Sequence, residues 1–215
     1  MKRFPNALKG VKIIHLAELC TLLLTVCSLG LLILEELLEE PEAILHPIYW
    51  IVLVLGLAAL ALELIGIFRA AKDEPLFRQA SIGMILALGL SFGVLFIEEG
   101  QLLRTVIELF CIIPTIYCSV TVVRGIMRLA EKLEDAALLA RRPALIRAVV
   151  LLSLGAMSLE FISAFFLHGK ERYATLRAIF HTMILTMELV EVSIFLGCTS
   201  QAEHMLHHAD QTNNE

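Results

Sequence analysis

Aspartate occurs only at Asp73, Asp135 and Asp210, and none of the three lies in a long apolar run. That absence removes intramembrane aspartyl dyads and aspartate-rich diphosphate sites from consideration. HExxH and P-loop patterns are equally missing, and no enzymatic reaction is expected. An intramembrane enzyme ranks third among the readings. Basic residues are nearly absent from the apolar runs and the net charge is −5, which excludes the basic footprint of a nucleic-acid binder. Charged residues make up only 18% of the chain, where a soluble domain carries about a quarter. The five cysteines all fall inside apolar runs: Cys20 with Cys27, Cys111 with Cys118, and Cys198 alone. A disulfide framework would place them in external loops, so they read as reduced thiols packed between helices, and no metal or cofactor is expected.

What is present is hydrophobe, and it comes in blocks. The chain is 58% hydrophobic with a mean hydropathy of +0.81. Six runs meet the need for about 20 residues across a bilayer core. They cover Ile13–Leu34, Ile48–Phe68, Gln79–Ile97, Thr105–Val123, Ala148–Leu167 and Ala178–Cys198. The basic opening MKRFPNALKGVK has the look of a signal-peptide n-region, but the apolar stretch after it is about twice too long for an h-region and lacks an A-x-A exit. It is read as a retained first span. The expected fold is all-α: a polytopic six-transmembrane-helix bundle whose short connections make consecutive spans antiparallel neighbours. Residues 1–12 form an N-terminal segment, 13–198 the transmembrane domain and 199–215 a C-terminal tail.

Thirteen of the seventeen Lys and Arg residues lie before span one, between spans two and three, or between spans four and five. Only Arg104, Lys170, Arg172 and Arg177 lie on the other side. The positive-inside rule predicts both termini in the cytoplasm, with the cytoplasmic (plasma) membrane as the default location. The segment Arg124–Arg147 has apolar residues at helical spacing among mixed charges and is predicted to be a helix on the membrane surface. The tail, with His204 and His208 on one face beside His207, Glu203 and Asp210, has the spacing of a Zn²⁺ pair but no fixed third ligand, and is read as solvated. On the outside, Glu35, Glu36, Glu39, Glu40 and Glu42 have no basic partner and suggest an acidic vestibule or a solvated extension of span one. GIFRAAK (Gly66–Lys72) and GIMRLAEK (Gly125–Lys132) end spans two and four, and SIFLGC (Ser193–Cys198) is a weaker echo in span six. These echoes suggest three helical-hairpin repeats.

The chemistry lies in the intramembrane acids. Glu18, Glu63, Glu108, Glu160, Glu188 and Glu191 fall inside five of the six spans, and in span six His181, Glu188 and Glu191 share one helix face. An ionised carboxylate at mid-membrane costs roughly 2.5 kcal/mol or more unless it meets a partner, a proton or water. With basic partners so scarce, protonation or a hydrated path is favoured. At ~1.5 Å of rise per residue, Glu18, Glu63, Glu188 and Glu191 form an inner relay and Glu108, Glu160 and His181 an outer one, a ladder and not one cluster. Each acid has polar or small company at spacings of three or four: His15, Thr21, Thr25 and Ser28 in span one, Arg104, Cys111, Thr115 and Cys118 in span four, Ala156 and Ala164 in span five. Pro114 predicts a kink in span four, and Gly89 with Gly93 forms a GxxxG pattern that predicts a close helix contact in span three.

The expected function is a small transporter or channel-like carrier of protons, cations or a small solute, working through these glutamates in the lipid bilayer. The alternative is a non-transporting sensor, scaffold or accessory subunit that docks a protein partner through Arg124–Arg147 and the tail.

Overall fold

The structure, a computed structural model, describes residues 4–37, 41–94, 96–97, 102–167 and 174–211, and for residues 35–37, 41–45, 49, 102, 103, 105, 108, 167 and 174 the backbone alone. The described residues form six helices, each long and apolar enough to cross a membrane. They are α1 (Pro5–Leu37), α2 (Pro41–Ala70), α3 (Leu76–Val94), α4 (Leu102–Leu133), α5 (Ala136–Ile162) and α6 (Ala174–Gln211). A π-helical turn, Ser163–Leu167, continues α5. The membrane character and the multi-pass, all-helical architecture follow directly. Prolines open α1 and α2, where their missing N–H removes no intrahelical bond.

The helices form a ring in chain order, each packed on the next, and α6 closes the ring against α1. Most of the well-packed core lies toward the end that carries both termini. There Val11 and Ile14 of α1, Ile67 of α2, Phe77 of α3, Val122 and Ile126 of α4, Leu138 of α5 and Ala202 and Leu206 of α6 form one buried cluster. Toward the opposite end, buried apolar side chains among the described residues thin out to Leu31, Ala59, Val94 and Ile184.

Glycines set the tightest crossings. A methyl group on Gly10 would fall 2.6 Å from both the Ala70 nitrogen and the Gly66 oxygen, and one on Gly66 would fall 2.7 Å from Ile14 Cγ1. In the second hairpin, Gly83 meets the Pro114 carbonyl and Tyr117, and Gly125 meets the Phe77 ring. Gly89 and Gly93, where the GxxxG pattern predicts contact, face open space instead. α3 makes its close approach one end earlier, at Phe77 and Gly83.

The α2–α3 turn clamps two other helices. Phe4 precedes α1 and has no polar side chain to serve the first helical N–H groups. Asp73 supplies what is missing: its Oδ2 accepts from the backbone nitrogens of Asn6 and Ala7, both at 2.8 Å, and its Oδ1 accepts from Asn6 Nδ2 at 3.0 Å. Next to it, buried Glu74 accepts from Lys132 of α4, whose ammonium also lies 5.5 Å from the Phe4 ring centroid. Asp73→Ala is expected to lower unfolding free energy by about 1–2 kcal/mol, the loss typical of a helix cap, read as a fall in unfolding midpoint in detergent. Asp73→Asn should recover part of it.

The predicted surface helix over Arg124–Arg147 is corrected. The segment is helical, but it consists of the continuation of α4 to Leu133, a reversal at Glu134–Asp135 and the start of α5 at Ala136. Its apolar stripe is spent on the bundle, where Leu129, Ala130 and Leu138 are buried. Glu134 takes the left-handed conformation (φ 58°), and the Asp135 nitrogen donates to the Ala130 carbonyl at 3.0 Å, which ends α4 as a Schellman turn. Asp135 then caps α5 by accepting from the Leu138 nitrogen. The tail is likewise not a solvated strand of chain: α6 runs on to Gln211 with Thr199, Ala202, Met205, Leu206 and Ala209 buried, while His204, His207 and His208 lie exposed. The vestibule residues Glu39 and Glu40 lie outside the described residues.

Candidate functional site

Above the packed end, the ring encloses a cavity of about 440 Å³. α1 presents Glu18, Thr21 and Thr25 to it, α2 presents Glu63, and α4 presents Cys111, Ile112, Thr115, Ile116 and Ser119. α5 adds Ser153, Ala156, Met157 and Glu160, and α6 adds Glu188, Glu191, Val192 and Phe195. Phe195 also belongs to the buried cluster, so it stands where cavity floor and packed end meet. Among the described residues no lysine, arginine or histidine lines this space.

The wall takes this form because the polar residues recur at helical spacing on faces that point away from lipid. Glu18, Thr21 and Thr25 follow one stripe of α1, and Cys111, Thr115 and Ser119 one stripe of α4. Glu18 is the most enclosed of the acids, only 9% exposed. Among the described residues no protein donor reaches its carboxyl group, whose oxygens open onto the cavity. Glu191 has a partner: the Ser153 hydroxyl lies 2.9 Å from both of its carboxyl oxygens. That hydroxyl is also 2.9 Å from the Val149 carbonyl, yet it has one proton to give. With Glu191 ionised, Ser153 donates to it. With Glu191 protonated, the acid donates to Ser153, which donates to Val149, so the same atoms accommodate either state.

The three threonine hydroxyls share a second property. Thr21 donates to the Ala17 carbonyl at 3.1 Å, Thr25 to Thr21 at 3.0 Å and Thr115 to Cys111 at 3.0 Å. Their hydrogens are taken by the backbone of their own helices, and their lone pairs are left to the cavity. These threonines and the ionised carboxylates therefore offer the cavity hydrogen-bond acceptors. Such a wall suits a ligand that carries positive charge and donors.

Of the residues proposed from sequence, Glu18, Glu63, Glu160, Glu188 and Glu191 line this one cavity. Glu108 has its backbone in α4 and its side chain lies outside the described residues. His181 is exposed and is not part of the wall. His15 is engaged elsewhere: its Nδ1 is 2.9 Å from Thr199 Oγ1 of α6, and Thr199 itself donates to Leu196. Ser153 and Ser119 are the contributors that sequence reading missed. Ser153 lies two helical turns before Glu160 on the same face, the spacing that would have found it. Among the described residues no three His, Cys, Asp or Glu side chains close on one point as a metal centre requires.

The chain matches no protein-family model, no curated protein and no solved structure.

Proposed function

We propose that this protein is a small membrane carrier that moves a cation and exchanges it for protons at the same carboxyl groups. The observation that carries this reading is the convergence of five glutamates from four helices on one cavity wall that no basic side chain among the described residues lines. Those of its carboxylates that no protein group neutralises are stable in an apolar membrane only when protons or a cation offset their charge, which links the two occupants. Binding of a cation releases protons, and their return releases the cation. The Ser153–Glu191 pair supports both states without rearranging its neighbours.

The packed end supports a conformation closed on the side of the termini. The basic residues clustered there favour a cytoplasmic placement of that end, in the plasma membrane, with the cavity serving the outside. Passage inward then requires the floor at Phe195 to part. The α1–α6 seam beneath it is held by polar links, His15 with Thr199 and Lys12 with Glu203 at 3.5 Å. Gly66 and Gly125 occupy like positions at tight crossings, each followed by a fully buried isoleucine, which favours the first two hairpins as repeats. The docking alternative draws less support, because Arg128 and Arg142 of its basic segment both bind Glu131.

The test is a flux assay. Proteoliposomes loaded with a pH-sensitive dye receive Na⁺, K⁺ or methylammonium from outside. At least one cation is expected to move protons faster than in protein-free liposomes. No response to any of them removes the carrier reading.

A further inference from the structure

A second opening lies against the first. Between α4 and α5, an apolar groove of about 550 Å³ is walled by residues including Leu109, Phe110, Ile113, Phe161 and Phe165. Phe161 and Phe165 stack with ring centroids 4.6 Å apart. Met157 belongs to both linings, so hydrocarbon-lined groove and acid-lined cavity adjoin at its flexible thioether side chain. The cavity side of the same seam is itself mixed, with Ile112 and Ile116 set among the carboxylates and hydroxyls.

From this juxtaposition we propose that the transported cation is a primary alkylammonium, its –NH₃⁺ group in the glutamate cavity and its hydrocarbon chain passing Met157 into the α4–α5 groove. This rests on the carrier reading above and specifies its substrate. Three observations carry it. An ammonium group has three donors and no acceptor, the complement of ionised carboxylates and of the Thr21, Thr25 and Thr115 oxygens. Glu18, nine-tenths buried and without a protein donor among the described residues, offers its carboxyl to such a group. The cavity has the size of a small organic ligand's site, and its carboxylates are spread round the wall where a compact dehydrated ion would need them gathered. The groove adjoins that site at Met157, and an apolar chain is what its lining receives.

The experiment measures equilibrium binding of radiolabelled methylammonium, butylammonium and octylammonium to the full chain in lipid nanodiscs, with protein-free nanodiscs subtracted. Affinity is expected to rise two- to fourfold per methylene, the upper figure being what burial of one CH₂ supplies. Phe110→Ser, which removes an apolar wall of the groove, should flatten that rise. Equal affinity along the series overturns the inference and leaves the groove to a phospholipid chain, while the carrier reading stands on methylammonium. A rise that Phe110→Ser does not change also overturns it, by taking the chain out of this groove. Failure of all three amines to bind while Na⁺ or K⁺ moves protons overturns the amine assignment alone. Failure of every cation in both experiments overturns the carrier reading with it.

Discussion

Alanine at position 66 is expected to destabilise the protein by about 3 kcal/mol, the upper end of what overpacking a filled core costs. Ordinarily a glycine inside a helix gains up to ~1 kcal/mol on becoming alanine. Here the added methyl meets Ile14 Cγ1 at 2.7 Å, the Gly10 carbonyl oxygen at 2.8 Å and the Ile14 nitrogen at 2.9 Å. Two of those three atoms are backbone, so relief requires α1 and α2 to move apart, and with them the packed end they seal. Gly10→Ala should behave alike, since its methyl meets the Ala70 nitrogen and Gly66 oxygen. Gly89→Ala and Gly93→Ala are the internal controls. Nothing lies within 4 Å of either added carbon, and a gain of about 0.5–1 kcal/mol is expected. Equilibrium unfolding in mixed micelles, followed by circular dichroism, reads all four. Equal stability of the position-66 and position-89 variants would show that the α1–α2 crossing is not the constraint described.

Glu18→Gln is expected to lower cation-driven flux by roughly 10- to 150-fold. Hydrogen bonds to a charged group contribute about 1.5–3 kcal/mol, and every ~1.4 kcal/mol is a factor of ten. Glutamine preserves the shape of the side chain, so the effect isolates charge and proton exchange from folding. It also introduces an N–H donor beside the accepting oxygens of Thr21 and Thr25, which adds a repulsive contact for an ammonium group. The loss should fall mainly on the half-saturating cation concentration if Glu18 binds, and on maximal rate if it chiefly exchanges protons. Glu18→Asp, which keeps the charge one methylene shorter, should retain a measurable part of the flux. Wild-type flux in the double variant Glu18→Gln, Glu63→Gln would remove the carboxylates of the first hairpin from the pathway.

Much of this architecture is legible in the chain because its main determinant is one-dimensional. An apolar block about 20 residues long has few fates other than a spanning helix. The polar stripes were equally readable, since three- and four-residue spacing put Thr21, Thr25, Cys111 and Thr115 beside the acids before any packing was known. What sequence did not supply is the partner across each interface. Gly89 and Gly93 carry the familiar small-residue pattern yet face open space, while isolated glycines at 10, 66, 83 and 125 make the contacts. A pattern on one helix cannot say which neighbour arrives or at what level. The same limit applies to Ser153: its place on the Glu160 face is readable from spacing, but its partner Glu191 comes to it from α6. It also explains the Arg124–Arg147 segment, where mixed charge suggested a membrane surface and Glu131 instead ties Arg128 to Arg142 across the turn.

The meeting of His15 with Thr199 spans 184 positions of sequence. Ribosomes deliver the first helix long before the last, so its histidine, glutamate and threonine stripe waits in the lipid without the surface that finally covers it. Completion of the ring is thus the concluding event of biogenesis. Until then the newborn chain displays unmatched polarity that folding helpers and membrane proteases are equipped to notice.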